Sequence, residues 1–278
     1  MRIADYLYRF KKGLYKLAEV PRRRRHRKEL RRRADAFRYL QSKDVHIFKR
    51  IDGIMLVQYP DHIASKLVEG TLWGLEDFQS AIAILRPRLR TGTFIDFGAN
   101  SGMISIYAAR ENFFNKIIAI EPLHVNFELL CANLRLNSVD NAVPIQCAIS
   151  DREGEARMPL DRLLGVSGFA SATDEFELVQ TRCLDNLLKE IRVDPSSLAL
   201  VWISIRGHEN AALAGMTTVL AAQVPLVIYF CPFSEPAATI SLLQNHYEHC
   251  AARECGGPQP IASLQPEKFK GNTWLAVW

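Results

Sequence analysis

The pattern of apolar and polar positions changes character twice along the 278-residue chain. Ile3, Tyr6, Leu7, Phe10, Leu14 and Leu17 recur at helical spacing, with Arg9, Lys12 and Lys16 off that stripe, which predicts an amphipathic helix ended by Pro21. Leu30, Ala34, Phe37 and Leu40 predict a second helix over Glu29–Gln41. Residues 44–90 read as a lead-in: a short hairpin (His46–Lys49 and Ile54–Tyr59), then a helix from Leu75 to Leu85 closed by Pro87. From Gly92 onward, short apolar runs alternate with helical segments. Strands are predicted at Thr93–Phe97, Lys116–Ile120, Val143–Ile149, Ala199–Ile205, Pro225–Cys231 and Trp274–Trp278. Helices are predicted at Ser101–Arg110, Val125–Leu136, Arg182–Ile191, Asn210–Ala222 and Pro236–His246. Gly154–Asp174, rich in Gly, Ser and charge, reads as a loose insert. The alternation predicts an α/β domain over 91–278, with a mostly parallel, doubly wound sheet, behind the lead-in and a helical arm over 1–43.

Charge sharpens this division. The first 50 residues hold 18 Lys and Arg against 5 Asp and Glu, a net of +13, whereas the other 228 hold 17 against 25, a net of −8. Arg22–Arg25, Arg27, Lys28 and Arg31–Arg33 concentrate the excess. A basic arm on a mildly acidic body points to an anionic partner, either membrane headgroups or nucleic acid. No run of about 18 apolar residues is present to span a bilayer. Lys11, Lys12 and Lys16 interrupt any apolar leader core, so reduced thiols in a cytoplasmic compartment, with peripheral membrane contact, are expected.

The candidate chemistry begins where the first strand of the domain ends. In Ile95-Asp96-Phe97-Gly98-Ala99-Asn100-Ser101-Gly102, the glycines permit a tight turn and close approach of a ligand. The following helix N-terminus offers unpaired N–H groups. Glu121, 23 residues after Gly98, sits at the end of the second strand, where an acid can accept from both hydroxyls of a ribose. A dinucleotide is disfavoured because G-x-G-x-x-G is missing, and Asp96 suits a sulfonium or amino group better than a pyrophosphate.

These residues, with Ile120-Glu121-Pro122, Asn126 to Leu130, Asn133-Leu134 to Asn137, Ala148 to Glu155, Arg182 to Leu187, Gly207-His208-Glu209 and Leu213-Ala214-Gly215, resemble the FkbM-type methyltransferases that use S-adenosylmethionine (SAM). The resemblance covers roughly residues 91–235. It implies a Rossmann-like class I methyltransferase fold and, from characterised members, transfer to oxygen. Carried over by position, it implies that Asp96, Gly98, Asn100, Gly102 and Glu121 hold SAM, with Ser150 and Asp151 near the adenine. At the end of the fourth strand, where the family usually reads Asp-Val-Glu-Gly-His-Glu or Asp-Thr-Gln-Gly-His-Glu, this chain has Ser204-Ile205-Arg206-Gly207-His208-Glu209. Ser204 cannot take a proton or hold a metal as a carboxylate can, and Arg206 adds a fixed positive charge at the acceptor site.

His208 then reads either as general base or as a packing residue at the rim. Glu209 reads as its orienter, as an acceptor ligand, or as a charge stabilising a helix N-terminus. Asp185 reads as a first-turn helix residue. His246, His249 and Cys250 share a face of a predicted helix near Cys255, but no second cysteine pair accompanies them and no metal is assigned. Three functions follow in order: an O-methyltransferase acting on a hydroxylated small molecule, sugar or glycan; a SAM-binding module without turnover; and an RNA-modifying enzyme. The last ranks lowest because the arm lacks interleaved aromatics for base stacking. Oligomerisation through the arm is an alternative to membrane contact.

The apolar stripe and the charge of the arm generate a test. A chain beginning near Lys43 is expected to fold with unchanged SAM affinity and to lose binding to vesicles containing anionic lipid. Full-length binding is expected to weaken steeply with salt. Equal vesicle binding by the two chains would remove the anchor.

Overall fold

Asp52 and Gly53 have φ of +49° and +79°, the two left-handed residues that a two-residue hairpin turn demands, and they fold β1 (Ile47–Ile51) onto β2 (Ile54–Gln58). The computed structural model describes residues 47–58, 61–160, 175–253, 256–269 and 271–278. They belong to the unit His46–Trp278. The arm over 1–43, with its two expected helices and arginine clusters, lies outside the described residues, as does most of the expected insert.

After the hairpin come α1 (His62–Glu69), α2 (Leu75–Leu85), β3 (Gly92–Phe97), α3 (Met103–Arg110), β4 (Phe114–Ile120), α4 (His124–Leu136), β5 (Ala142–Ile145), β6 (Ala148–Ile149), β7 (Gly154–Pro159) and β8 (Phe176–Arg182). The chain continues with α5 (Leu184–Glu190), β9 (Leu198–Ile203), α6 (Glu209–Ala214), α7 (Thr217–Ala221), β10 (Leu226–Phe230), α8 (Pro236–Leu243), β11 (His249–Ala252), β12 (Gly256–Pro260) and β13 (Thr273–Val277). The main sheet runs β12-β11-β13-β10-β9-β3-β4-β5. Its β10-β9-β3-β4-β5 portion is parallel and β13 is antiparallel to both neighbours. Every residue of β3 and β9 is buried, as expected of parallel strands covered on both faces, and this explains why they read as continuous apolar runs. The chain winds outward from β3 through β4 to β5, then returns to the other side of β3 as β9. Strand order therefore reverses at β3/β9, where α/β sheets open a ligand crevice.

One side of the core joins the lead-in to the sheet: Leu56, Leu67 and Phe78 are fully buried with Phe94 and Trp202. The rings of Phe78 and Trp202 lie 5.6 Å apart. The lead-in thus contributes a wall of the domain core.

Several boundaries differ from the sequence expectation. The strand expected over Val143–Ile149 is two: β5 in the main sheet, and β6, which pairs with β8 in a separate three-stranded sheet, β6-β8-β7. Part of the expected insert, Gly154–Pro159, is a strand whose inward positions are only Ala156 and Met158, too few to show against the surrounding charge. Arg182 belongs to β8, so the following helix begins at Leu184. Asn210–Ala222 breaks at Gly215 into two short helices. The helix from Pro236 ends at Leu243; His249 and Cys250 are in β11, so the helical face once expected to gather His246, His249 and Cys250 does not form. Helix α1 and strands β8, β11 and β12 were not anticipated.

Two asparagines hold the hairpin to the domain. The Asn137 side chain accepts from Met55 N at 2.9 Å and donates to Met55 O at 2.6 Å. Asn133 accepts from Val57 N at 2.7 Å, and its amide donates to Val57 O at 2.9 Å and to Ser101 O at 2.8 Å. Spaced one helical turn apart, they serve alternate residues of β2 as a neighbouring strand would. Asn133 is fully buried, with both amide hydrogens and its oxygen engaged. Its replacement by Ala strips partners from three backbone groups at once. Asn133→Ala is expected to cost about 2–4 kcal/mol in denaturant unfolding, and a loss under about 1 kcal/mol would show that water replaces the amide readily.

Candidate active site

The cleft opens at the carboxyl ends of β3, β4 and β9. Gly98 N and Ala99 N both donate to Ile120 O at 3.0 Å, and Ser204 N donates to Phe97 O at 3.0 Å, so the turn after β3 is stitched to both neighbouring strands. The turn has three left-handed residues: Gly98 (φ +74°), Asn100 (+50°) and Gly102 (+91°). Asparagine tolerates this region better than most side chains. The glycines are dictated by protein packing. A Cβ on Gly98 would stand 2.3 Å from Ser204 O, and one on Gly102 would stand 2.8 Å from a Leu130 methyl. A side chain at either position would therefore meet protein, Ser204 just after β9 or Leu130 of α4.

On one side the cleft is lined by the turn, Glu121, Pro122, Asn126 and Cys147–Ile149. Opposite lie Ser204, Ile205, Arg206 and His208. Ile63 and Trp73 come from the lead-in, a contribution that the sequence reading missed. Trp73 is placed by a hydrogen bond from the Tyr107 hydroxyl to its carbonyl (3.0 Å) and by the Tyr229 ring at 5.9 Å. The cavity holds about 90 Å³ and opens to solvent at its mouth.

Two buried carboxylates serve the turn. Glu121 accepts from Asn100 N at 2.8 Å, Leu123 N at 3.1 Å and the Asn126 amide at 3.3 Å. Burial nevertheless pushes its pKa up to about 7, with Glu177 adding to the rise. Asp96 accepts from the Ser105 hydroxyl at 2.6 Å, while its Oδ1 has no hydrogen-bond partner among the described residues. Burial chiefly, and the Glu121 charge secondarily, raise Asp96 to about 7. It is not part of the cleft lining. An orphaned carboxylate oxygen beneath the turn and a second carboxylate in the wall fit a ligand that carries positive charge and hydroxyl donors.

The other acid is differently employed. Glu209 is buried, accepts from Gly207 N at 2.9 Å and from the Ser234 hydroxyl at 3.0 Å, and does not line the cleft. It fixes the turn that carries His208. Burial lowers the pKa of His208, keeping the imidazole neutral at neutral pH. Ser150 is buried and Asp151 exposed, and neither lines the cleft; Ser150 Oγ stands 3.0 Å from His208 Nε2. Arg206 holds a left-handed φ of +47° just before Gly207 at +85°. With Arg253 it offsets the burial and the Asp77 charge that push the Tyr229 hydroxyl up to about 12.

Residues 96–253 match the model of the methyltransferase FkbM domain. The chain belongs to the FkbM methyltransferase family. SAM is the cofactor consistent with that membership. The chain is 34% identical over 82 residues to methyltransferase sdnD of Sordaria araneosa, an alignment covering 29% of this chain and 31% of that protein. Among solved structures it is similar to methyltransferase FkbM from Methylobacillus flagellatus KT (14% identity, 78% of this chain, 61% of that one, TM-score 0.46). It is also similar to M. jannaschii TYW2 crystallised with AdoMet (13% identity, 84% of each chain, TM-score 0.46).

Several FkbM-like motif residues have packing duties here. Asp185 accepts from Thr217 Oγ1 at 2.8 Å and from Thr218 N at 3.0 Å, capping α7 from across the loop. A Cβ on Gly215 would fall 1.9 Å from Ser150 O, so this glycine lets the α6 terminus rest on the strand end that meets His208. Comparing two left-handed glycines isolates the packing at the turn. Gly98→Ala is expected to destabilise by about 3 kcal/mol or more, since a backbone carbonyl blocks the methyl. Gly70→Ala, at φ +85° with nothing within 4 Å of its Cβ, is expected to cost only about 1 kcal/mol. Thermal or denaturant unfolding of the pair decides this, and equal losses would refute it.

Proposed function

We propose that this chain is a methyltransferase that moves the methyl group of SAM to a hydroxyl oxygen of a small molecule, sugar or glycan. The observation that carries the reading is the pairing of Glu121 with the Asn100 amide in the wall of a cleft at the β3/β9 reversal. Bound there, SAM supplies an electrophilic methyl carbon on a sulfonium. The Asp96–Gly102 turn and Glu121 hold the donor; Asp96 and Glu121 favour its positive charge, and Glu121 accepts from the ribose. His208, at the opposite wall and kept neutral by burial, takes the acceptor hydroxyl's proton as the new C–O bond forms. Glu209 holds the His208 turn in place. Most of the remaining rate enhancement comes from alignment of donor and acceptor. Arg206 favours an acceptor with a carboxylate or phosphate, and Trp73 offers a flat surface for a sugar ring. Ser204, in place of the acid usual in the family, supports a second reading, a SAM-binding module without turnover. No described helix is long and apolar enough to cross a membrane; the basic arm supports a cytoplasmic enzyme held at an anionic membrane surface.

The raised acids make donor binding pH-dependent in a defined direction. In the free protein, carboxylates held at about 7 contribute stability below their unfolded values and lose it as pH rises through about 7. A cationic donor favours the ionised acids, so binding at pH 6.5 releases protons and affinity climbs between pH 6 and 8. Calorimetric titration with SAM in two buffers of different ionisation enthalpy reads both effects. Glu121→Gln is expected to weaken binding by about 1–3 kcal/mol. Absence of SAM binding, or proton uptake, would defeat the donor-site assignment.

A further inference from the structure

We propose that Ser234 is a positioning residue for the wall that carries Arg206 and His208, acting on it through the Glu209 carboxylate. The inference rests on that wall receiving the acceptor, as in the reading above. Arg206 and Gly207 are consecutive left-handed residues, at φ +47° and +85°. Such a pair turns the chain sharply between β9 and α6, and a side chain bulkier than glycine stays in that region only where its surroundings hold it. The Gly207 N–H donates to Glu209 Oε1 at 2.9 Å. The same oxygen accepts from the Ser234 hydroxyl at 3.0 Å. One carboxylate oxygen thus pins the turn and is itself pinned by the loop after β10.

Ser234 is fit to anchor because its own loop is stiff. Ser234 N donates to Cys231 O at 3.0 Å, closing a four-residue turn with Pro232 in second place, where the fixed ring angle suits the turn. Cys231 N donates to Ser234 Oγ at 3.0 Å, which holds the hydroxyl oxygen and leaves its hydrogen for an acceptor. Cys231 Sγ, at 3.5 Å, competes weakly for that hydrogen; an ionised carboxylate is the stronger acceptor. The next residue of α6 is tied to the same side of the fold, since the buried Thr239 of α8 donates to Asn210 Oδ1 at 2.8 Å. Burial raises the Glu209 pKa and the Glu235 charge adds to the rise, while the Gly207 N–H, its own N–H and the Ser234 hydroxyl oppose them. Removing the hydroxyl therefore takes a donor from the ionised form and loosens the turn. Ser234 does not line the cleft, so its effect on the wall passes through Glu209.

The pin is read without an acceptor. Carbon-13 NMR of the full chain labelled at glutamate carboxyls follows the Glu209 titration, imidazole NMR follows the His208 ring, and calorimetry follows SAM affinity. Ser234→Ala is expected to raise the Glu209 midpoint by about 0.5–1 unit and to displace the His208 ring signals, with SAM affinity unchanged within about twofold. Ser234→Thr keeps the hydroxyl and is expected to restore both signals. His208 signals in Ser234→Ala identical to those of the wild type would overturn the proposal. So would equal displacement in Ser234→Thr, or a SAM affinity about tenfold weaker in either variant. Should Ser234→Ala not fold, Ser234→Cys, whose thiol is a weaker donor, is expected to give both shifts at smaller size, and their absence would overturn it equally. Wild-type SAM binding is measured in the same series, so failure of the donor site is distinguished from failure of the pin.

Discussion

The site depends on a contact with no room for one methyl group. β3 and β9 lie side by side and parallel, and where they end their backbones stay so close that Ser204 O occupies the place of a Gly98 side chain. Glycine satisfies both the positive φ and the contact. Because Gly98 and Ala99 also hang from Ile120 O, the turn is fixed by both flanking strands before any ligand arrives. Cleft shape is thus a property of the sheet. The cleft is framed by β4 on one side of β3 and β9 on the other, and neither can shift without breaking its hydrogen bonds to β3.

Charge within this rigid frame is divided by side. Asp96 and Glu121 stand by the turn after β3, and Arg206 stands in the wall beyond β9. Desolvation leaves the acids near their midpoint at neutral pH, whereas a guanidinium keeps its charge throughout. Both the buried acids and the left-handed Arg206 are unfavourable in isolation. Conformational strain of this kind, on the order of 1 kcal/mol or more for a non-glycine residue, clusters where function requires a particular orientation. His208 shares the cleft wall with Arg206, its Nε2 3.0 Å from Ser150 Oγ.

The sheet was legible in the sequence because buried parallel strands read as unbroken apolar runs, and the donor turn because positive φ and tight packing demand glycine or asparagine in a recognisable order. Packing against Ser204 and Leu130 adds a second demand for glycine at Gly98 and Gly102 that no local pattern announces. The lead-in's share of the cleft was hidden, since nothing local to Ile63 or Trp73 announces a contact formed across the fold. β7 and β8 were hidden because a hairpin half exposed to solvent carries Glu155, Arg157 and Glu177 among few inward apolar positions. Glu209 could not be placed from sequence, because the choice between orienter and cap depends on Ser234, 25 residues away. Ser150 and Asp151 were legible only by resemblance, and only folding brings the hydroxyl to a histidine 58 residues distant.

The asparagine pair on α4 has a consequence beyond holding the hairpin. A strand at the margin of a sheet offers its free amides and carbonyls to any passing strand, and proteins commonly blunt such margins with lysine, proline or a bulge. β2 has apolar Ile54 and Leu56 packed inward, without a proline between Ile54 and Gln58. Its open edge is instead saturated by side-chain amides that mimic a strand while belonging to a helix. Loss of those amides would uncover a ready template for intermolecular pairing, so Asn133 and Asn137 guard the protein against self-association as well as against unfolding.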